Sequence, residues 1–316
     1  MTEKRMKTKA WISAMRLRTL PLSFSVILMG SAIAIIETNR YSSSREFSWW
    51  IFTLTMVTTL LLQVLSNLAN DYGDALKGAD NEGRIGPERA IQSGAISHKA
   101  MFKAIVLNAI LALISGIALL LVAFEGELNW IFITFVLIGI ASIGAAIKYT
   151  VGKGAYGYSG LGDLFVFIFF GLVGVLGTLF LQAHEFRWDY VVPAATMGLY
   201  SVAVLNLNNM RDRENDKAVG KNTLAVKLGF RFSKIYHYSI FLLAYLCAPM
   251  YLIYSSIVHQ FYGLLLVVSI PLLIHIIHLR KVSLIKDPKD FDPELKKVAL
   301  SAFLFGLLFF FLVLFN

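Results

Sequence analysis

Asn70 and Asp74, and later Asn208, Asp212 and Asp216, recur at four-residue steps in two polar stretches of an otherwise apolar chain. Side chains at that step share one face of a helix. The stretches are NLANDYGDALKGADNEGRIGPER (Asn67–Arg89) and NNMRDRENDKAVGKNTLAVKLG (Asn208–Gly229), and each opens where a long apolar run ends. Asp71, Asp80 and Glu214 add further carboxylates. Crowded acids repel one another and take up protons unless cations intervene. Oxygen-only donors on flexible segments suit Mg²⁺, which keeps several waters and shares its shell with substrate phosphates. Zinc is disfavoured, because Cys247 is the sole cysteine and the six histidines lack a His-x-x-x-His spacing. His275 and His278 read instead as polar packing near a helix end.

Cations share the same stretches: Lys77, Arg84, Arg89, Arg211 and Lys221, with Lys148 elsewhere. Guanidinium forks bind phosphate oxygens in pairs, and lysine supplies a point charge. Glycines at 73, 78, 83, 86 and 220 permit sharp turns against a ligand. No Walker pattern is present, which argues against an ATPase. Acids, metal ions and basic groups together suit scission of a carbon–oxygen bond to diphosphate, because they stabilise charge on the leaving group. The carbocation left behind needs a dry chamber with aromatic faces. An allylic diphosphate with a long isoprenoid tail meets both demands.

The elements that hold these groups are membrane helices. The chain has 316 residues, is 57% hydrophobic and only 16% charged, with mean hydropathy +0.67. A span needs about 20 apolar residues. Nine are expected, at 11–36, 48–68, 101–124, 128–149, 162–184, 188–209, 234–257, 260–279 and 297–315. Arg16, Arg18 and Pro21 interrupt the first, which is expected to begin as an interfacial helix and enter the membrane near Leu22. With the N-terminus and alternate loops placed in the cytoplasm, every Lys and Arg except Arg40, Arg45 and Arg187 falls on that side. The positive-inside rule then puts both polar stretches in the cytoplasm and the C-terminus outside. Topology accounts for the net charge of +9, and no nucleic-acid partner is expected. Asn70 and Asp74 match Asn208 and Asp212 at one constant offset, which points to two four-helix units with a ninth helix appended. The whole chain, 1–316, reads as a single domain.

Three segments carry a resemblance: NLANDYGDALKGAD with RIGPERAIQSG, KYT with YSGLGDLFVFIFFG (Lys148–Gly171), and NNMRDRENDKAVGKNTLAVKLG. In these the sequence resembles the UbiA superfamily of intramembrane prenyltransferases, and within it the menaquinone-pathway branch. The resemblance implies an all-α, multi-pass integral membrane protein of nine helices in a UbiA-like bundle, residing in the inner (cytoplasmic) membrane. It implies transfer of a polyprenyl chain from polyprenyl diphosphate to 1,4-dihydroxy-2-naphthoate, with release of diphosphate and carbon dioxide, and Mg²⁺ as cofactor, Mn²⁺ being the alternative. Asp71, Asp74, Asp212 and Asp216 take catalytic metal-binding roles, with Asn67, Asn70 and Asp80 beside them. Arg84, Arg89, Lys148, Arg211 and Lys221, with Asn208 and Asn209, fall to the diphosphate. Tyr149 and Asp163 fall to the aromatic acceptor.

Two departures stand out. Gly78 occupies a position where many relatives carry a third Asp, which leaves the role of Asp80 open, and the loop 152–158 lacks the prolines expected of this branch. Competing readings are a sister enzyme using 4-hydroxybenzoate or homogentisate, and a secondary transporter. A carrier would hold acids near the midplane of broken helices, whereas these acids cluster at one face.

Overall fold

A computed structural model describes residues 3–40, 45–81, 83–254 and 261–315. Among the described residues every regular element is helical. In chain order these are α1 (Glu3–Met15), α2 (Leu20–Arg40), α3 (Trp49–Leu76), α4 (His98–Ala123), α5 (Trp130–Lys148), α6 (Gly162–Val166), α7 (Gly177–Ala183), α8 (Val191–Ala218), α9 (Leu224–Tyr254), α10 (Phe261–Leu284) and α11 (Phe291–Leu314). Short polar residues set several starts. Ser48, Ser97 and Asn129 accept from the backbone N–H three residues on, at the heads of α3, α4 and α5.

Among the described residues, eight stretches are long and apolar enough to cross a membrane. The remaining expected span, 234–257, runs along α9 and ends on residues outside the described ones. The interrupted start of the first span is a real break. Arg16 adopts φ 48° between α1 and α2, and Pro21 sits in the first turn of α2, where its missing N–H costs nothing.

The fifth span differs from a plain α-helix. Residues Phe167–Leu176, between α6 and α7, form a π-helix, a widened coil that recurs at functional sites. Close approach to α8 accompanies it. A Cβ on Gly171 would lie 2.8 Å from Ala194 O and from Gly198 Cα, so only glycine lets the two backbones meet. Apolar runs of this kind read alike whether the coil is α or π, and the sequence gives no sign of it.

Buried positions show where the bundle centre lies. The most apolar windows of the α2 and α8 spans are 72% and 67% buried, against 6% for α5, which stands at the edge. Lipid gives no hydrophobic drive between helices, so packing and polar links hold the bundle. One such link crosses α8 to α11. Asn206 donates to His237 Nδ1 (3.4 Å), His237 and His278 share a hydrogen bond between their Nε2 atoms (2.8 Å), and His278 Nδ1 meets Glu294 Oε2 at 2.7 Å. His275 in turn bonds Tyr245 and Ser301. These histidines are packing groups within the helix bundle.

Candidate active site

α3 extends two turns past its apolar stretch and carries the first polar motif on helical backbone. Its polar residues divide between two faces. Asn67 donates to Met15 O at 2.9 Å, and Asp71 pairs with Arg16 and, at 3.4 Å, with Arg89 Nε. Asn67 and Asp71 thus pin the α1–α2 elbow, and Asp71 is fully buried away from the cavity wall. Asn70 and Asp74 face the chamber, and Asn67 lines it too. Gly73 makes this end of α3 possible: a Cβ there would stand 2.6 Å from Thr150 Oγ1 and 2.8 Å from Thr150 C.

α8 carries Asn208, Asp212 and Asp216 on one face, and all three line the same cavity as Asn70 and Asp74. Lys221, just past α8, joins the two motifs. Its Nζ lies 3.6 Å from Asp74 Oδ2 and 3.6 Å from Asp216 Oδ1. Burial works against its charge, but Asp74, Asp216 and Asp212 outweigh that and raise its pKa. Arg211 grips Asp212 through Nε (3.0 Å) and Nη2 (2.7 Å), reaches Asn208 Oδ1 at 2.8 Å, and pairs with Asp292. Arg84 spans Asp80 (3.3 Å) and Asp212 (3.7 Å). Asn215 closes the seam by donating to Ala79 O at 2.8 Å.

The remaining predicted residues sit farther back. Asp80 is off the cavity wall, with Arg84 at 3.3 Å and Arg89 at 3.9 Å. Burial lifts its carboxyl to about 6, against the pull of those arginines. Burial, with Arg16 alongside, brings Arg89 down to about 9, so it stays protonated at neutral pH. Asn209 is buried off the wall. Lys148 donates to Lys153 O at 2.7 Å, outside the chamber. Tyr149 lines the chamber. Asp163 is buried off the wall.

Four participants have no counterpart in the sequence reading of the site. Tyr158 donates to Asp74 Oδ1 at 2.7 Å, with Lys77 Nζ 3.9 Å and Lys221 Nζ 5.3 Å from its ring centroid. Arg16, Arg18 and Lys296 line the cavity. Arg18 and Lys296 make no hydrogen bond or ion pair among the described residues; the carboxylate that acts most on Arg18 is Asp292, already held by Arg211. Charges inside an apolar span are the signal that marks Arg16 and Arg18.

The cavity measures about 860 Å³. Its mouth holds the acids and cations, and its depth is walled by Val26, Ile27, Phe135, Phe169, Phe170 and Val173. Along α3 it reaches from Asp74 to Thr55, about 28 Å at 1.5 Å per helical residue. Among the described residues no three of His, Cys, Asp and Glu form a ready-made metal cage. The donors nevertheless suit Mg²⁺: they are all oxygens, and Asn70 Oδ1 is buried without a hydrogen-bond partner. Mg²⁺ needs only one or two carboxylates when phosphate oxygens complete its shell.

A profile of the UbiA prenyltransferase family matches residues 40–304. The chain is 39% identical to the 1,4-dihydroxy-2-naphthoate octaprenyltransferase of Escherichia coli (strain K12), covering 98% of this chain and 96% of that one. It is 42% identical to the enzyme of the same name from Haemophilus influenzae, over 96% and 95%. In fold it matches a UbiA homolog from Archaeoglobus fulgidus bound to DMAPP and Mg²⁺, with TM-score 0.65 at 14% identity over 96% and 98% of the two chains.

Proposed function

Because this chain belongs to the UbiA prenyltransferase family, we propose that it transfers a polyprenyl chain from polyprenyl diphosphate to 1,4-dihydroxy-2-naphthoate. Diphosphate and carbon dioxide leave, and the product is demethylmenaquinone. The relatives' names support the acceptor and a tail of eight isoprene units. One observation carries the reading: acids from two distant motifs meet through Lys221 at the mouth of a long apolar cavity.

Asn70, Asp74, Asp212 and Asp216 are the residues that would hold Mg²⁺. When bound, the metal neutralises charge on the departing diphosphate. Lys221, Arg84 and Arg211 act on the same charge, fixed in place before reaction by their carboxylate partners. The apolar walls keep water from the allylic cation, and Phe165, Phe169 and Tyr149 offer it π faces. The acceptor brings a carboxylate. Among the described residues Arg18 and Lys296 are the cavity cations with no ion-pair partner, which makes them better suited to it than the off-wall Asp163. Tyr149 remains on the wall where a ring could stack. The charge bias of the loops supports a cytoplasmic mouth in a bacterial inner membrane, with the C-terminus outside. Residues 1–316 act as one unit.

Membranes containing the protein, given octaprenyl diphosphate, Mg²⁺ and each ring in turn, test the reaction. Product is expected with dihydroxynaphthoate. Product with 4-hydroxybenzoate or homogentisate and none with dihydroxynaphthoate overturns the acceptor.

Tyr158→Phe provides a finer check. It deletes a hydrogen bond to a carboxylate, a contact of about 1.5–3 kcal/mol, and leaves the ring between its lysines. The expected result is a fall in kcat of about tenfold and a higher Mg²⁺ requirement, with KM for the naphthoate unchanged. Steady-state rates across a Mg²⁺ titration read both; an unaltered Mg²⁺ requirement would deny Tyr158 any hold on Asp74.

A further inference from the structure

α11 has two working faces. Asp292, Lys296 and Ala299 line the cavity, where Asp292 pairs with Arg211. The opposite face meets α10. Glu294 is 1% exposed; its Oε2 meets His278 Nδ1 at 2.7 Å, and Lys297 Nζ donates to its Oε1 at 2.6 Å. Farther along α11, Ser301 Oγ stands 2.5 Å from His275 Nε2. Seven residues fall within about 20° of two full turns, so Glu294 and Ser301 lie in one line. His275 and His278, neighbours on one side of α10, clasp both. Lys296 comes two residues after Glu294 and points about 200° round the helix.

Apolar packing alone gives such a helix a poor rotational address. The second half of α11 reads FGLLFFFLVL (Phe305–Leu314), and lipid supplies no hydrophobic preference between its sides. Polar contacts specify one rotation instead. A side chain stands about 5–6 Å from its helix axis, so a turn of about 20° carries it about 2 Å. A displacement of about 1 Å at a reacting centre can cost about a hundredfold in rate.

The contacts continue beyond α10. His278 Nε2 meets His237 Nε2 of α9 at 2.8 Å, and Asn206 of α8 donates to His237 Nδ1 at 3.4 Å and to Ser233 O at 3.1 Å. Asn206 is buried off the cavity wall, two residues before Asn208 on it. One buried chain of contacts thus ties the helix of the second acidic motif to the helix that carries Lys296.

We propose that His278 and Glu294 are positioning residues for the aromatic acceptor: their contact sets the rotation of α11 and so aims Lys296 at the ring's carboxylate. This role rests on the assignment of Lys296 to that carboxylate. Neither group reaches the cavity wall, so both act through the lysine. The prenyl diphosphate depends on them less, because Arg211 keeps Asp212 and Asn208 on its own helix.

Steady-state kinetics of the full-length protein with octaprenyl diphosphate, Mg²⁺ and dihydroxynaphthoate supply the test. His278→Leu/Glu294→Leu exchanges the pair for apolar groups, a change that buried polar pairs often tolerate in stability. It is expected to raise KM for the naphthoate about tenfold and leave KM for octaprenyl diphosphate within about twofold. Glu294→Gln can still hydrogen-bond His278 and should keep the naphthoate KM within about twofold of wild type. Ser301→Ala removes only the second contact and should raise it about threefold. Lys296→Met should itself raise it about tenfold, and the double change added to Lys296→Met should cost under about twofold more, since the pair acts through the lysine. Both KM values rising together, or a further tenfold loss on top of Lys296→Met, overturns the proposal. An unmoved naphthoate KM in the double variant also overturns it, and Ser301→Ala decides in the same way if the double variant does not fold. An unmoved naphthoate KM in Lys296→Met marks a different failure, that of the acceptor assignment on which the role rests.

Discussion

Asp212→Asn and Asp74→Asn, each made alone, are expected to reduce prenyl transfer by about a thousandfold while the protein still folds. The change keeps the side chain's shape and removes its charge. Asp212 holds Arg211 through two bonds of 3.0 and 2.7 Å and has Arg84 at 3.7 Å. Asp74 faces Lys221 at 3.6 Å and accepts from Tyr158 at 2.7 Å. Each loss therefore acts twice: an oxygen proposed to bind the metal loses its charge, and a cation that should be aimed at the leaving group loses its anchor. Removing one preorganised donor typically costs a hundred- to thousandfold in rate, and a metal ligand lost at the same point brings the expectation to the upper end. Folding should survive, because Arg211 keeps Asn208 and Asp292. Initial rates with octaprenyl diphosphate and the naphthoate, beside thermal unfolding in detergent, supply the measurement. A rate within tenfold of wild type for either variant would remove the metal-diphosphate argument.

Much of this site is legible in the sequence, and the exceptions have a common cause. Asn70, Asp74, Asn208, Asp212 and Asp216 all line one cavity, as their four-residue step predicts. Asp71 follows a different rule, whereas Asn67 lines the cavity while also donating to Met15 O. A helix turns 100° per residue, so Asp71 cannot share the direction of Asn70, and α3 presents it to the α1–α2 elbow and Arg16. Asp80 likewise meets Arg84 and Arg89 rather than the chamber. Spacing reveals which residues share a face but not which neighbour that face meets. Tyr158 depends on how the loop after α5 closes over Asp74, a long-range event that local pattern does not encode. The spans were legible because a bilayer demands length and apolarity. The π-helix at Phe167–Leu176 was not, since an apolar run reads alike in either coil, and its close approach to α8 at Gly171 and Gly198 is a tertiary contact.

The second large effect is expected from Lys221→Met, and it separates two roles of one side chain. Lys221 is 9% exposed and lies 3.6 Å from carboxylates of both motifs. With the ammonium gone, Asp74 and Asp216 face each other across a buried gap. Breaking a buried ion pair on one side costs about 3–5 kcal/mol, so a marked fall in the unfolding temperature is expected without Mg²⁺. Adding Mg²⁺ with diphosphate should restore much of it, because the metal supplies the missing positive charge where the lysine stood. Activity should still fall about a hundredfold, since the fixed cation no longer meets the leaving group. The pH dependence follows from the direction of the shift. The folded-state pKa is raised above the ordinary 10.5, so the lysine's contribution is complete below that value and is lost only as pH climbs through the higher one. The lysine's own titration therefore adds no pH dependence to the gap between variant and wild type below that value. Unfolding temperatures with and without Mg²⁺ at several pH values decide the matter. An unchanged melting temperature in the absence of metal would mean that the two acids are already neutral or far apart, and that Lys221 does not join the motifs.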